Sequence, residues 1–440
     1  MSKKQKIAIF WHRRDLRLHD NAGLYYALKG DLPVLPLFIF DTEILDKLED
    51  KQDRRVEYIR AEVGRLRTEL SEQGSSILVK YDKPINVWNT ILEKYEVGAV
   101  YTNRDYEPYA KERDSEVAKL LEKHGIKFND YKDHCIFERE EVLNGKGEPY
   151  GVFTPYSRKW LDKLNIEKSN FYVRSYSNEK YFSHFLPSPK LPLPSLEDMG
   201  FEAVNKEFPN REVDNSTLES YAEKRDFPAK PGTTQISMHL RFGTVSIREM
   251  ARKGLINSEI WLKELIWRDF YMMVLDFHPR VLEESYKPKY DNIQWRNNEA
   301  EFEKWCAGKT GYPMVDAGMR QLNQTGYMHN RVRMVVASFL TKHLLIDWRW
   351  GEAYFAKKLL DYELSSNNGG WQWASGSGCD AAPYFRVFNP ESQLKKFDKE
   401  LKYIRKWVPE FQDIGYIPMV DHKMARQRAL DTYKKGLDGN

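Results

Sequence analysis

Glu264, Trp267, Arg268 and Tyr271 fall at i, i+3, i+4 and i+7 of the run from Trp261 to Tyr271, the spacing that gathers side chains on one face of a helix. Leu262, Ile266, Phe270, Met273 and Val274 take the opposite side. One face therefore belongs to a core. The other offers a carboxylate, an indole and a guanidinium, a set suited to stacking on a heterocyclic base and hydrogen-bonding it. A solvated face carrying an Arg–Glu pair satisfies the same spacing.

Three further segments carry chemistry. Met328-His329-Asn330-Arg331-Val332-Arg333 opens a helix candidate, where early backbone N–H groups and two guanidinium groups favour an anion such as phosphate; a solvated first turn is the plain alternative. Asp361 to Trp373 holds Asn367, Asn368, Gly369 and Gly370 ahead of Trp371 and Trp373, a composition that allows turns and close backbone approaches to a flat heteroaromatic ligand rather than a routine amphipathic helix; a purely structural turn is the plain alternative. Gly232 to Ser237 places Thr233, Thr234 and Ser237 around a polar turn able to cradle phosphates, although hydroxyls at such turns commonly cap helices.

These segments need elements to hold them. Strands are expected at Ile7–Trp11, Val34–Phe40, Ser76–Tyr81, Ala99–Asn103 and Ile126–Tyr131, with helices such as Arg54–Gln73 and Ala110–His124 between them. That alternation specifies a Rossmann-like parallel sheet covered on both faces. The first strand runs into Trp11-His12-Arg13-Arg14-Asp15-Leu16-Arg17, where a dinucleotide fingerprint needs glycines, so an ordinary NAD domain is disfavoured. The Pro-rich stretch Leu186 to Ser195 continues neither helix nor central strand. Helical periodicity then takes over, with candidates at Val245–Lys253, Ile260–Asp276, Val315–Thr325, Asn330–Ile346 and Gly351–Leu360. The expected organisation is an α/β domain over 1–140, a connector over 141–216 and an all-helical domain over 217–440.

Composition narrows the function classes. A net charge of +4 over 440 residues is a weak global signal, so nucleic-acid binding has to be argued from local clusters. Cys135, Cys306 and Cys379 are widely spaced, which speaks against a zinc site, an iron–sulfur cluster or a disulfide framework. No apolar run reaches the roughly 18 residues of a membrane span, and the N-terminus lacks a signal-peptide pattern. A cytoplasmic monomer with no membrane association is expected.

Trp11 to Asn21, Thr310-Gly311-Tyr312-Pro313-Met314-Val315-Asp316 and Asn367 to Trp373 together resemble the photolyase/cryptochrome flavoprotein family, most closely its class I cyclobutane pyrimidine dimer photolyases. The resemblance spans nearly the whole chain. It implies an N-terminal antenna-type domain and a C-terminal helical domain that binds FAD, active in its reduced anionic form. Tyr221, Thr233, Thr234, Gln235, Ile236, Ser237, Trp261, Asp361, Tyr362, Glu363 and Asn367 match FAD-framing positions, with Gln235 standing where a basic residue is common. Glu264 resembles the carboxyl group that stabilises the dimer's added electron. Asn367 resembles the amide beside flavin N5. Trp371, Trp348 and Trp295 match a chain of tryptophans that carries electrons to photoexcited oxidised flavin. Arg225, Glu264, Trp267, Arg268, Asn330, Arg331, Met334, Trp373, Arg386 and Gln393 match the surface that takes DNA containing a pyrimidine dimer, flipped out of the stack.

The resemblance also frames the alternatives. A cryptochrome uses the same flavin fold for signalling, but the chain ends at Asn440 without the long tail signalling relatives often carry. Six-four photoproduct enzymes resemble one another in a histidine pair where this chain has His329-Asn330-Arg331. A second, antenna chromophore is implied as an option. Folate-binding relatives resemble one another in an Asn-Glu pair where this chain reads Tyr106-Glu107-Pro108-Tyr109-Ala110, so methenyl-folate is disfavoured and the antenna is left open.

Overall fold

The computed structural model describes residues 5–166 and 171–438. The chain divides into two compact units that interleave along the sequence: an α/β unit of Met1–Glu138, Leu164–Glu212 and Gln235–Lys253, and a helical unit of Arg139–Lys163, Val213–Thr234 and Gly254–Asn440. The sequence pattern suggested contiguous segments instead. The interleaving arises because Phe153–Ile166 begins a helix whose Trp160 Nε1 donates to Asp269 Oδ2 at 3.0 Å, inside the helical unit. The Pro-rich stretch forms neither helix nor strand, as expected, and is tied to the α/β unit by Leu186 N to Val34 O (2.8 Å) and Leu191 N to Ser76 Oγ (3.0 Å).

The α/β unit holds five parallel strands, β1 (Lys6–His12), β2 (Val34–Asp41), β3 (Leu78–Asp82), β4 (Glu96–Asn103) and β5 (Lys127–Tyr131), in the order β3-β2-β1-β4-β5. Each lies within a few residues of its expected position. The central β1 and β2 are apolar and almost wholly buried, as strands covered on both faces must be. Ile7, Ile9, Trp11, Leu35, Leu37 and Trp88 anchor their core. Between β1 and the Ala22–Leu28 helix the charged signature turns inward: Asn103 Nδ2 donates to Asp15 Oδ2 (2.6 Å), Arg17 to Asp133 (2.6 Å), and Arg248 to Asp20 (2.9 Å) and Asp133 (2.7 Å). Gly23 lets this helix touch β4, since a Cβ there would stand 2.8 Å from Thr102 O.

In the helical unit, Glu259–Phe277, Pro313–Thr325 and Trp348–Lys358 realise expected helices. Two expectations are corrected. The run 330–346 is not one α-helix: α geometry holds over Asn330–Ser338, then Phe339–His343 widens into a π turn that buries Lys342 and His343. Leu364–Ser375, expected to form turns, is a helix. Its poor intrinsic propensity is overridden by packing. Gly369 admits the Tyr271 ring, which a Cβ would meet at 2.2 Å, and Asn368 and Gln372, one turn apart, both donate to Val281 O at 2.9 Å. Met314, Val315, Val336, Leu340, Trp348 and Trp371 belong to one core in this unit.

Candidate functional site

Glu264 and Arg268 do not pair with each other, although they share a helix face. Arg225 donates to Glu264 Oε1 at 2.5 Å, and Arg268 donates to Glu363 Oε2 at 3.2 Å. Glu264 keeps about a third of its side-chain surface exposed. Burial of the rest raises its pKa while Arg225 opposes the rise, so this carboxylate is held by one cation and has capacity for a second partner. Arg268 is buried, whereas the family resemblance set it on a DNA-facing surface.

Trp267 is partly buried and stacks face to face on Phe153, ring centroids 3.7 Å apart and nearly parallel at 6°; Tyr271 packs against it at 5.4 Å. Phe153 had no sequence signal beyond being aromatic. Asp361 accepts two bonds from Arg333 (2.9 and 3.1 Å), and Arg333 also donates to Met328 O (2.7 Å). Tyr362 packs partly buried against the helical core. Thr234 Oγ1 accepts from Trp261 Nε1 at 3.3 Å, and Thr233 Oγ1 lies 3.5 Å from Tyr327 Oη. Neither hydroxyl is spent on capping a helix. The helix Ser237–Phe242 starts after Ile236, whose side chain makes no cap bond, and Gln235 has a φ of +50°. Gln235, Ile236 and Ser237 belong to the α/β unit, whereas Tyr221, Thr233, Thr234, Trp261, Asp361, Tyr362, Glu363 and Asn367 belong to the helical unit.

Asn367 lies in the first turns of the Leu364–Ser375 helix, and its Nδ2 donates to the carbonyl O (3.1 Å) and Oε1 (2.7 Å) of Glu352. Three residues on, Gly370 is exposed and a Cβ there would meet no atom within 4 Å. That helix face is open.

Asn330 is exposed at the start of its helix, where His329 Nδ1 accepts from Arg331 N at 3.2 Å. Arg331 donates to Asp226 (2.7 Å), lies 4.4 Å above the Phe397 ring and approaches Met334 Sδ at 3.9 Å. Arg386 is exposed, Gln393 is partly buried with Oε1 lacking a partner, and Trp373 packs partly buried on the core. Trp371 and Trp348 are buried in the same core, and Trp295 is partly buried at its margin. The rings nearest Trp371 include Phe355 at 5.0 Å and Trp305 at 6.0 Å. Asp226, Glu352 and Trp305 are members of the site that sequence spacing left unmarked.

Among the described residues no cluster of His, Cys, Asp and Glu is arranged to hold a metal ion, and no helix is long and apolar enough to cross a membrane.

Two family descriptions match the chain: DNA photolyase over residues 8–172, and the FAD binding domain of DNA photolyase over residues 261–417. Similar sequences include the deoxyribodipyrimidine photo-lyases of Synechococcus sp., 37% identical over 97% of this chain and 96% of the relative, and of Escherichia coli, 35% identical over 98% and 99%. Among solved structures, a bacterial class III photolyase from Agrobacterium tumefaciens superimposes with a TM-score of 0.86 at 30% identity, covering 100% of this chain and 99% of the other. An archaeal photolyase from Sulfolobus tokodaii with two FAD molecules gives 0.81 at 34%, covering 98% and 100%. A Synechocystis cryptochrome gives 0.83 at 26%, covering 98% and 100%.

Proposed function

The chain belongs to the DNA photolyase family, and from that premise we propose that it is a deoxyribodipyrimidine photo-lyase, repairing cyclobutane pyrimidine dimers in DNA with light. The observation that carries this reading is full-length similarity, at 35–37% identity, to the Synechococcus and Escherichia coli deoxyribodipyrimidine photo-lyases. Fold alone does not separate repair from signalling, because a cryptochrome superimposes equally well. Nor does it sort the classes within the family: one similar structure is class III, while the three sequence motifs resemble class I.

The residues present fit FAD. The open face beside Asn367 and Gly370 suits a flat ring, and Thr233, Thr234 and Trp261 offer polar groups for the remainder of the cofactor. When bound and reduced, FAD supplies the light-driven electron that opens the cyclobutane ring and recovers it afterwards. Glu264 hydrogen-bonds the electron-bearing pyrimidine and stabilises its developing charge. Trp267, backed by Phe153, presents an apolar wall to the extruded dimer. Arg225, Asn330, Arg331 and Arg386 hold the phosphates around it. Trp371, Trp348 and Trp295 are the residues that would pass electrons inward to oxidised FAD when it is bound.

The test of the main reading is anaerobic illumination of the flavin-reduced protein with a dimer-containing oligonucleotide. Restored thymines are expected, and binding without repair would move the chain to the photoreceptor class. For the relay, Trp371→Phe is expected to block photoreduction of oxidised FAD yet leave repair largely intact after chemical reduction. Equal loss in both assays removes the relay role. For the antenna, Glu107 is engaged by Arg14 (3.1 Å) and Arg241 (2.6 Å), and Ala110 is buried and has no side-chain acceptor, which supports an enzyme working without methenyl-folate in that position. Stoichiometric methenyl-folate in the released chromophores, identified by mass spectrometry, would overturn this.

A further inference from the structure

The chain contains two Asn–Gly steps, Asn144-Gly145 and Asn368-Gly369. An asparagine followed by glycine sets a weak electrophile, the side-chain amide carbon, beside a weak nucleophile, the next backbone nitrogen, with no Cβ on the glycine to obstruct their approach. The two steps sit in opposite settings.

Asn144 heads a tight turn in the Arg139–Lys163 segment of the helical unit. Its backbone N donates to Glu148 O (2.9 Å), and its carbonyl accepts from Gly147 N (3.0 Å). Its side chain is engaged at both ends. Oδ1 accepts from two backbone N–H groups, Lys146 N at 2.8 Å and Glu148 N at 3.1 Å, while Nδ2 donates to Glu148 Oε2 at 3.5 Å. Two backbone donors on one amide oxygen polarise its C=O bond, and both strengthen as that oxygen gains negative charge, which is how a tetrahedral oxyanion is stabilised. Gly145 is exposed, a Cβ on it would meet nothing within 4 Å, and no described residue accepts from its N–H.

Asn368 is the opposite case. It is buried in the Leu364–Ser375 helix, its Nδ2 donates to Val281 O at 2.9 Å, its Oδ1 accepts from Gln372 Nε2 at 3.2 Å, and the Tyr271 ring covers Gly369. Helical geometry commits the Gly369 N–H to a carbonyl of the preceding turn.

We infer that Asn144-Gly145 is a self-modifying site, at which the folded turn promotes conversion of the asparagine to aspartate and isoaspartate. Gly145 N gives its proton to water and bonds to Asn144 Cγ, and the C=O electron pair moves to Oδ1, held by Lys146 N and Glu148 N. The Cγ–Nδ2 bond then breaks, Nδ2 takes a proton from water and leaves as ammonia, and a cyclic imide closes. Water adds to either imide carbonyl and reopens the ring as aspartate or isoaspartate. The net change consumes one water, releases one ammonia and needs no oxidant or cofactor. The product sets a carboxylate where the amide faced Glu148, so a hydrogen bond becomes a repulsion, and the isoaspartate form adds a methylene to the backbone of the turn. A neutral turn thereby becomes an acidic, loosened one in the segment that leads into the Phe153–Ile166 helix.

The experiment incubates the full-length native protein at mildly alkaline pH, where the Gly145 proton is more readily lost, beside the same chain unfolded in guanidinium chloride. Mass spectrometry of the peptides follows replacement of amide by acid at both steps and separates aspartate from isoaspartate. Asn144 is expected to convert about tenfold faster in the native protein than in the unfolded chain, the gain from oxyanion donors fixed in place. Asn368 is expected to do the reverse, staying intact while folded and converting once unfolded. Conversion of Asn144 that is no faster folded than unfolded would mean that the turn merely holds the amide, and would overturn the inference. Conversion of both asparagines at one rate in the native protein would overturn it as well, since sequence and not the turn would then set the rate. Aspartate formed without isoaspartate would mean direct hydrolysis by water and would remove Gly145 N as the nucleophile.

Discussion

In the α/β unit, Arg17, Arg248, Asp20 and Asp133 are all nearly fully buried, and each cation meets carboxylates at 2.6–2.9 Å. In the helical unit, Lys342 and His343 are as deeply buried, yet Lys342 donates to a backbone oxygen of Arg386 (3.0 Å) and His343 pairs with another imidazole, His422 (2.8 Å). Burial accordingly drives Lys342 down to about 8 and His343 down to about 3. Buried charge that meets opposite charge builds a scaffold. Charge that is unpaired titrates, and charge paired on one side only, as at Glu264 and Arg331, can still take a ligand.

The sharpest way to break this contrast is Asp133→Ala. It leaves two buried guanidinium groups short of a carboxylate and removes an acceptor for Ala22 N–H (3.0 Å). Breaking a buried pair from one side typically costs about 3–5 kcal/mol. Denaturant unfolding of the FAD-loaded protein should show a loss of that order, with repair per folded molecule retained. A loss below about 1 kcal/mol would mean that the network is not what holds this unit.

His343 tests the other half. Its folded pKa, about 3, lies below its ordinary 6.5 because of burial, reinforced by His422, Arg428 and Lys342. Between those values the unfolded chain binds more protons, so stability is full above pH 6.5 and falls as the pH drops through that window. At roughly 1.4 kcal/mol per pH unit for one group, the fall from pH 6.5 to 5 is about 2 kcal/mol. His343→Phe, which keeps a ring beside Phe339, should flatten that part of the pH–stability profile; an unchanged slope would assign the acid sensitivity to other groups.

The contrast also explains what could be read beforehand. Five strands were legible because apolar runs bounded by turns survive in a sheet buried on both faces, and the Glu264 face was legible because helical spacing is local. The helix Leu364–Ser375 was not, since Asn367, Asn368, Gly369 and Gly370 argue against helix until Tyr271 and Val281 are placed against them. The widening at Phe339–His343 left no mark in an otherwise continuous helical pattern. Glu352 and Asp226 gave no signal at all. Each is an ordinary acidic residue whose meaning comes from a partner 15 or 105 positions away.

Glu264 sharpens the comparison at the site. Unlike Asp133, it has one guanidinium partner and a partly exposed carboxylate, so its loss should harm chemistry more than folding. Glu264→Ala is expected to lower repair per absorbed photon by up to about tenfold, the worth of a hydrogen bond to a charged group, while lesion affinity changes only a few-fold. Measured quantum yield and binding isotherms separate the two effects. An unchanged yield would remove Glu264 from the stabilising role.

Arg331 is the subtlest case, because it is already paired in the protein alone. Its guanidinium reaches Asp226 at 2.7 Å and covers Phe397, but the Asp226 side chain is about 39% exposed, so water and salt weaken the pair. On the proposed reading a DNA phosphate would compete with Asp226 for this partly exposed guanidinium, whereas Arg248 is buried with Asp20 and Asp133. Arg331→Ala should therefore weaken lesion binding by about 1 kcal/mol and reduce the magnitude of the slope of log affinity against log salt by about 0.9, one phosphate contact. Asp226→Ala should do the reverse to affinity: Arg331 is freed, and binding tightens at low salt. If Arg331→Ala lowers the melting temperature but leaves the salt slope untouched, Arg331 belongs with the scaffold charges. Opposite affinity changes in the two variants, with the slope lost only in Arg331→Ala, would place it among the half-paired groups that DNA completes.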